Sequence, residues 1–220
     1  MRFSAQAKKV FGADLIVKDV CARCNNGPLS VLDAYACNLY DSYFSKTVER
    51  NEHVVFRYDH DQLLRWLLKV SYNSSRTTHV DAAFHRPLRK YMLGGAEKPD
   101  LVSVTLDIVV PSVVYGIVLE PRAIRCAQII IGCNRPWVCV RLVAVNSFYF
   151  YIVITGEKPV PVPDGELLEF RKGIKGTLLS PIGELELRDH RSDFFEMHAP
   201  HLIERKELYE EFMAMYRRPQ

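Results

Sequence analysis

The chain has 220 residues, of which 48% are hydrophobic and 25% are charged. This length accommodates one large or two small domains with hydrophobic cores, and the composition excludes a disordered or fibrous protein. No apolar run approaches the roughly 20 residues of a membrane helix, and the N-terminus lacks the apolar segment of a signal peptide. The net charge of +3 permits a nucleic-acid partner without requiring one. We therefore expect a folded, cytoplasmic protein with no membrane partner.

Near the N-terminus two cysteines, Cys21 and Cys24, are separated by two residues. This spacing allows both sulfurs to bind one Zn²⁺ at about 2.3 Å, so the pair supplies half of a tetrahedral site. Pro28 suits the first turn of a helix, and Asn25 or Asn26 is expected to cap that helix. Beyond Pro28 the apolar residues recur every three or four positions, which predicts one buried helix face. The chain has six cysteines and no secretion signal, so reduced thiols are expected.

The run from Cys21 to Asn25, followed by a helix, resembles the second half of the module of HNH-type (His-Me finger) endonucleases. The resemblance implies a structural zinc bound by two Cys-x-x-Cys pairs, one of them Cys21 and Cys24. It also implies a catalytic His that activates water, with Mg²⁺ or Mn²⁺ at the scissile phosphate. Residues 1–20 contain no His and no other Cys, so no catalytic residue is assigned. Two explanations stay open: Met1 is an internal start and a longer form supplies the front half, or the module is degenerate.

A buried helix is predicted after a short strand at residues 54–58. The helix extends from residue 62 to about 74, and more than half of its circumference is apolar. Asp59 or Asp61 is expected to cap it. The pair Asp59-His60 resembles the Asp-His of an HNH module, but its position at a helix start favours the cap for Asp59.

A basic face follows from the polar stripe of this helix and from a kinked helix predicted over residues 80–93, which Pro87 interrupts. Residues 57–98 carry eight Lys or Arg and four Asp or Glu, so the basic excess of the chain is concentrated here. We predict that this face binds nucleic acid. The alternative is that its side chains are solvated or pair with acids elsewhere in the chain. The seven candidate nucleic-acid-binding residues are Arg65, Lys69, Tyr72, Arg76, Arg86, Arg89 and Lys90.

From residue 101 the apolar residues alternate with polar ones, which predicts strands. The strands are expected at 101–110, 113–119, 123–131, 137–145 and 148–155, and shorter ones at 167–170, 177–179 and 184–187. Residues 148–154 are apolar or aromatic on both faces, which indicates a central strand. A helix that is broken near Pro200 is predicted over 193–218. The predicted fold is α+β: an HNH-remnant and helical region at residues 1–98, then an antiparallel β domain with a C-terminal helix at residues 99–220.

Three functions are weighed against these patterns. The first is an HNH-endonuclease-like protein, truncated or degenerate, that binds nucleic acid through the basic face, with a structural zinc and, in an active form, Mg²⁺ or Mn²⁺. The second is a non-catalytic protein-binding module in which the cysteine pair is a relic and the β domain or C-terminal helix recognises a partner. A third, an enzyme with a site in the β domain, has no set of residues to locate it. Whether the chain is an enzyme stays open.

Overall fold

The structure is a computed structural model. It describes residues 2–4, 9–11, 20–78, 82–122, 124–128, 138–155, 176–187 and 191–197. Helices and sheets both contribute, so the fold is α+β, as predicted. None of the helices within these ranges is long and apolar enough to span a lipid bilayer.

Most of the helical residues precede the main sheet. The helices are α1 (Ala22–Asn26), α2 (Pro28–Leu39), α3 (His60–Thr78), α4 (Ala82–His85) and α5 (Arg89–Met92). A π-helical turn, Tyr40–Phe44, follows α2, and a 3₁₀ turn, Arg86–Leu88, separates α4 from α5. The helix after the cysteine pair begins at Pro28, as predicted. The predicted interruption at Pro87 is also confirmed, since proline cannot donate the backbone hydrogen bond that an α-helix needs there.

Helix α3 begins with a side-chain cap. The backbone N–H of Gln62 donates to Oδ1 of Asp59 at 2.9 Å, and the Gln62 side-chain amide donates to Oδ2 at 3.0 Å. These bonds satisfy donors that the first turn leaves without helical partners. The prediction that Asp59 caps a helix is therefore confirmed. The helix continues past residue 74 to Thr78, because the polar residues of its last turns are buried with partners: Ser71 bonds His85, and Ser75 donates to the carbonyl of Tyr72.

Twelve strands lie within the described residues. They are β1 (Arg2–Ser4), β2 (Lys9–Phe11), β3 (Val54–Arg57), β4 (Val102–Val110), β5 (Ser112–Val114), β6 (Ile117–Leu119), β7 (Ile124–Gln128), β8 (Val138–Val145), β9 (Phe148–Thr155), β10 (Thr177–Leu178), β11 (Glu184–Leu187) and β12 (Arg191–Asp193). The main sheet has the order β10-β4-β9-β8-β7, with β12 also paired to β4. Strands β8 and β9 form an antiparallel hairpin whose turn contains Asn146 at φ 49°, as Asn tolerates.

The strands depart from the predicted antiparallel unit at three points. The segment predicted as one strand at 113–119 is a hairpin, because Tyr115 and Gly116 adopt φ values of 50° and 77° and reverse the chain. Strand β11 pairs with β3 in a separate two-stranded sheet instead of extending the main one. Strand β12 runs parallel to β4, so the main sheet is mixed. The strand predicted at 167–170 lies outside the described residues.

The predicted C-terminal helix starts later than expected. Asp193 ends β12, and its carboxylate accepts from the backbone N–H of Glu196 at 3.2 Å. Residues 194–197 are helical, and the remainder of the predicted helix lies outside the described residues.

Both faces of the main sheet are covered. Along β9, alternate residues such as Phe150 and Ile152 face a core shared with α2 and α3, whereas Tyr149 and Val153 face a second core that includes Phe194. The prediction of a central strand is therefore confirmed. The first core contains side chains from before and after residue 98, and β3 pairs with β11 across that point. The division into residues 1–98 and 99–220 stays a prediction, and these contacts cross it.

Candidate functional site

The two cysteines lie at the start of α1, three residues apart. Cys21 is the N-cap residue, and its sulfur accepts a hydrogen bond from the backbone N–H of Cys24 at 3.4 Å. This bond and a second one from the Cys24 thiol lower the pKa of Cys21 below its ordinary value of 9.0. The Cys24 pKa is raised, because its thiol donates to the Cys21 sulfur and would lose that bond on ionisation. The two cysteines are therefore neighbours in the first turn of α1, with the Cys21 sulfur at its N-terminus.

The helix cap predicted at Asn25 or Asn26 is wrong. Both asparagines lie inside α1, where the Asn25 amide donates to the Asn26 side chain at 3.4 Å. Gly27 is the N-cap of α2 and makes no side-chain cap bond. A Cβ at this position would lie 2.7 Å from the carbonyl oxygen of Arg23, so the tight junction between the two helices requires glycine. The apolar spacing that predicted α2 did not reveal that a separate short helix, α1, comes directly before it.

For the predicted zinc site, the described residues supply two candidate ligands, Cys21 and Cys24. A structural zinc is bound by four protein ligands in nearly all cases. Within the described part of the chain, no group of three or more His, Cys, Asp or Glu residues could hold a metal ion. The residues present thus fit neither a closed zinc site at Cys21 and Cys24 nor a Mg²⁺ or Mn²⁺ site. Zinc at this pair stays a prediction that needs ligands from elsewhere.

A cavity of about 320 Å³ lies beside the cysteine pair. It is bounded by the start of α1, by α3 and by the segment around α5. Its walls combine the two thiols with three cationic side chains, an aromatic ring and an amide. The polar residues that line it are Cys21, Cys24, Lys69, Tyr72, Asn73, Arg76 and Arg89. The structure thus brings the predicted metal ligands and four of the seven predicted nucleic-acid-binding residues to one place.

Two residues of the predicted basic face have intramolecular roles. The Arg65 side chain, 16% exposed, donates to the backbone carbonyl of Met92 at 3.2 Å and to Asp61 at 3.4 Å. The Lys69 side chain, 12% exposed, donates to Asp33 at 2.5 Å and to the carbonyl of Leu29 at 3.3 Å. These bonds tie α3 to α5 and α2. The alternative stated above, pairing with acids elsewhere in the chain, therefore describes Arg65 and Lys69.

The remaining basic residues lie nearer to solvent. The Arg76 guanidinium lies over the Tyr72 ring at 5.2 Å, and the His85 ring also stacks on Tyr72, with 5.7 Å between centroids. Arg89 lines the cavity, whereas Arg86 and Lys90 are exposed on the same segment without lining it.

Among the polar residues that line the cavity, the sequence analysis missed Asn73. It lies four residues after Lys69 and three before Arg76, so it belongs to the same polar stripe of α3. A helical projection that included neutral polar residues would have found it.

No protein-family model, curated protein or solved structure matches this chain.

Proposed function

We propose that this protein binds nucleic acid through the cationic edge of the cavity beside Cys21 and Cys24. The observation that supports this proposal best is the convergence of Arg76 from α3 and Arg89 from α5 on one cavity, which the Tyr72 ring also lines. Side chains from two separate helices that meet in this way can contact neighbouring phosphates of one strand, and such contacts set the register of a protein on nucleic acid.

The charge balance of the region indicates which residues carry the binding. The Lys69 ammonium already has the Asp33 carboxylate at 2.5 Å, so its contribution to an external phosphate is reduced. We assign the main contacts to Arg76 and Arg89 because both line the cavity, with Arg86 and Lys90 adding exposed charge on the neighbouring segment. The excess of eight Lys or Arg over four Asp or Glu in residues 57–98 adds a longer-range attraction.

The proposal concerns binding and includes no hydrolytic step. The HNH resemblance remains confined to the cysteine pair, its Asn and the helix that follows, and no described cluster of residues fits a catalytic metal. A nuclease assay with Mg²⁺ or Mn²⁺, on this chain and on a version extended upstream, examines activity separately. Robust cleavage by this chain alone would contradict a degenerate module.

Fluorescence anisotropy with labelled single-stranded and duplex oligonucleotides, over a range of salt concentrations, tests the binding proposal. Each lost phosphate contact reduces the slope of log affinity against log salt by about 1, so R76A/R89A should lower it by about 2 and weaken binding about tenfold. The matched control is R122A, because Arg122 is an exposed arginine that pairs with Glu120 and does not line the cavity. Unchanged affinity and slope in R76A/R89A would refute the proposal.

A second candidate, protein binding, is favoured by the β5–β6 hairpin. Its side chains Val113, Tyr115 and Val118 are 71%, 91% and 52% exposed, which is unusual for apolar residues grouped on one short hairpin. The variant Y115S/V118S should retain nucleic-acid affinity if the cavity edge is the binding surface. A loss of affinity in this variant that equals the loss in R76A/R89A would show that the surface is assigned wrongly.

A further inference from the structure

We propose that Cys21 and Cys24 form a reversible dithiol–disulfide pair that exchanges with a small anionic disulfide of the glutathione class in the adjacent cavity. This inference does not depend on nucleic-acid binding. It starts from two features established above: the Cys21 sulfur accepts a hydrogen bond from the backbone N–H of Cys24, and the described residues offer the pair no third metal ligand.

The backbone already holds the pair in register for a disulfide. Cys21 has extended backbone angles, φ −66° and ψ 150°, and its carbonyl accepts the helical hydrogen bond from Asn25 at 2.9 Å. Its sulfur lies 3.4 Å from the backbone nitrogen of Cys24. Residues three apart at the start of a helix are neighbours on one face, so a bond of about 2.0 Å between the two sulfurs requires side-chain rotation and a small approach of the two residues.

The pair is accessible to a small oxidant. Cys21 is exposed and Cys24 is partly buried, and both line the cavity of about 320 Å³. That volume lies at the lower end of the range for small-molecule sites. The two cysteines of the main sheet differ: Cys139 is buried, and burial raises the pKa of Cys126 to about 11. Cys37 on α2 is exposed but does not line the cavity, so a disulfide bound in the cavity meets Cys21 and Cys24.

The cavity edge favours a negatively charged oxidant. Arg76 and Arg89 line the same cavity as the two thiols, and the amide of Asn73 adds hydrogen-bonding capacity for a carboxylate. Glutathione disulfide carries carboxylates on both halves and an electrophilic sulfur pair between them. The arrangement therefore matches its charge as well as its reactivity.

The exchange balances in two steps. The Cys21 thiolate attacks one sulfur of glutathione disulfide, which forms a mixed disulfide and releases one glutathione thiolate. The Cys24 thiolate then attacks the Cys21 sulfur, which forms the Cys21–Cys24 bond and releases the second glutathione thiolate. The protein loses two electrons and two protons overall, and one glutathione disulfide becomes two molecules of glutathione.

The test uses the full chain in buffers with graded ratios of reduced to oxidised glutathione, followed by acid quenching, alkylation and mass spectrometry. Trypsin cuts after Lys18 and after Arg23, so only an oxidised pair keeps the Cys21 peptide joined to the Cys24 peptide. Because Cys37 lies in that second peptide, the measurement is repeated with C37S. We expect the joined peptides in both proteins and their loss when reduced glutathione is in excess.

Two further variants trap the intermediate. In C24S the second step is blocked, so one glutathione should remain attached to Cys21, whereas C21S should take up far less at Cys24. A pair that stays reduced at every ratio, or a disulfide that joins either cysteine to another partner, would overturn the proposal. One zinc per purified chain that is lost in both C21S and C24S would also overturn it, because bound zinc occupies the same thiolates.

A comparison of oxidation rates with an anionic and a neutral disulfide tests whether the cavity favours a negatively charged oxidant. The rate of oxidation by glutathione disulfide is divided by the rate with the neutral hydroxyethyl disulfide, and R76A/R89A should lower this ratio roughly fivefold, as expected for a lost charge contact in water. R122A serves as the control and should retain the ratio. An unchanged ratio in R76A/R89A would overturn the assignment of an anionic oxidant. None of these measurements contains nucleic acid, so their outcome is independent of the binding assay.

Discussion

The main sheet and the cavity beside α1 use the same helix, α3, in opposite ways. Toward the sheet, α3 presents Leu63, Leu67 and Leu68, which are fully buried. Toward the cavity, it presents Lys69 and Arg76, whose charges are held by a carboxylate or lie against an aromatic ring. Burial of apolar surface stabilises the first region, whereas directional polar contacts organise the second.

Substitutions in the core should therefore lower stability, whereas substitutions at the cavity should mainly alter binding and reactivity. A close-packed core loses stability with every methylene removed, because neighbouring side chains relax only partly. A solvent-lined cavity tolerates truncation better, because water replaces lost hydrogen bonds. The predictions below therefore run from the core, through the boundary, to the exposed start of α3.

The largest effect is expected for L67A. Leu67 is fully buried in the core between α3 and the sheet, so truncation should lower the free energy of unfolding by about 2–5 kcal/mol. Urea denaturation followed by circular dichroism measures the change. The control is I182A, because Ile182 is 87% exposed and should change stability by less than about 0.5 kcal/mol. Similar losses in both variants would contradict the assignment of Leu67 to the core.

An intermediate effect is expected for K69M at the cavity wall. Methionine retains an apolar stem but removes the bonds to Asp33 and to the carbonyl of Leu29, which should cost about 1–2 kcal/mol. A double-mutant cycle with D33N isolates the ion pair, and the exposed Lys46 provides the control variant K46M. If K69M and K46M were equally stable, the contact between α2 and α3 would contribute nothing measurable.

The smallest effect is expected for D59A, which removes the cap of α3 and should cost about 1 kcal/mol at neutral pH. The bonds from Gln62 lower the pKa of Asp59 below its ordinary value of 3.8. The cap therefore stabilises the fold above that value, and its contribution is lost as the pH falls through the lower, folded-state pKa.

Unfolding of D59A and wild type between neutral and acid pH measures this window. The stability difference should shrink on acidification. D59N is the matched control, because asparagine caps helices without a titrating group, so its stability relative to D59A should not follow that pH dependence. A constant difference between wild type and D59A across the range would contradict a capping role for the carboxylate.

The order of elements followed from local patterns. The start of α2 at Pro28, the Asp59 cap, the interruption at Pro87 and the buried strand β9 each depend on residues within one turn or one strand, and each was predicted. The hairpin at Tyr115 was missed because a non-glycine residue adopts positive φ there, which apolar periodicity does not reveal.

Composition and short-range spacing are enough to predict the α+β class, the cysteine pair and the concentration of basic residues. Which cations already have partners depends on the packing of α2 against α3, because that packing brings Asp33 to Lys69. The packing of the helices also brings the cysteines and the basic stripe to one cavity. Their separation along the sequence does not indicate this, because residues far apart in the chain can be either close or distant in the fold. Side chains far apart in sequence become neighbours only when the core that unites their helices has formed.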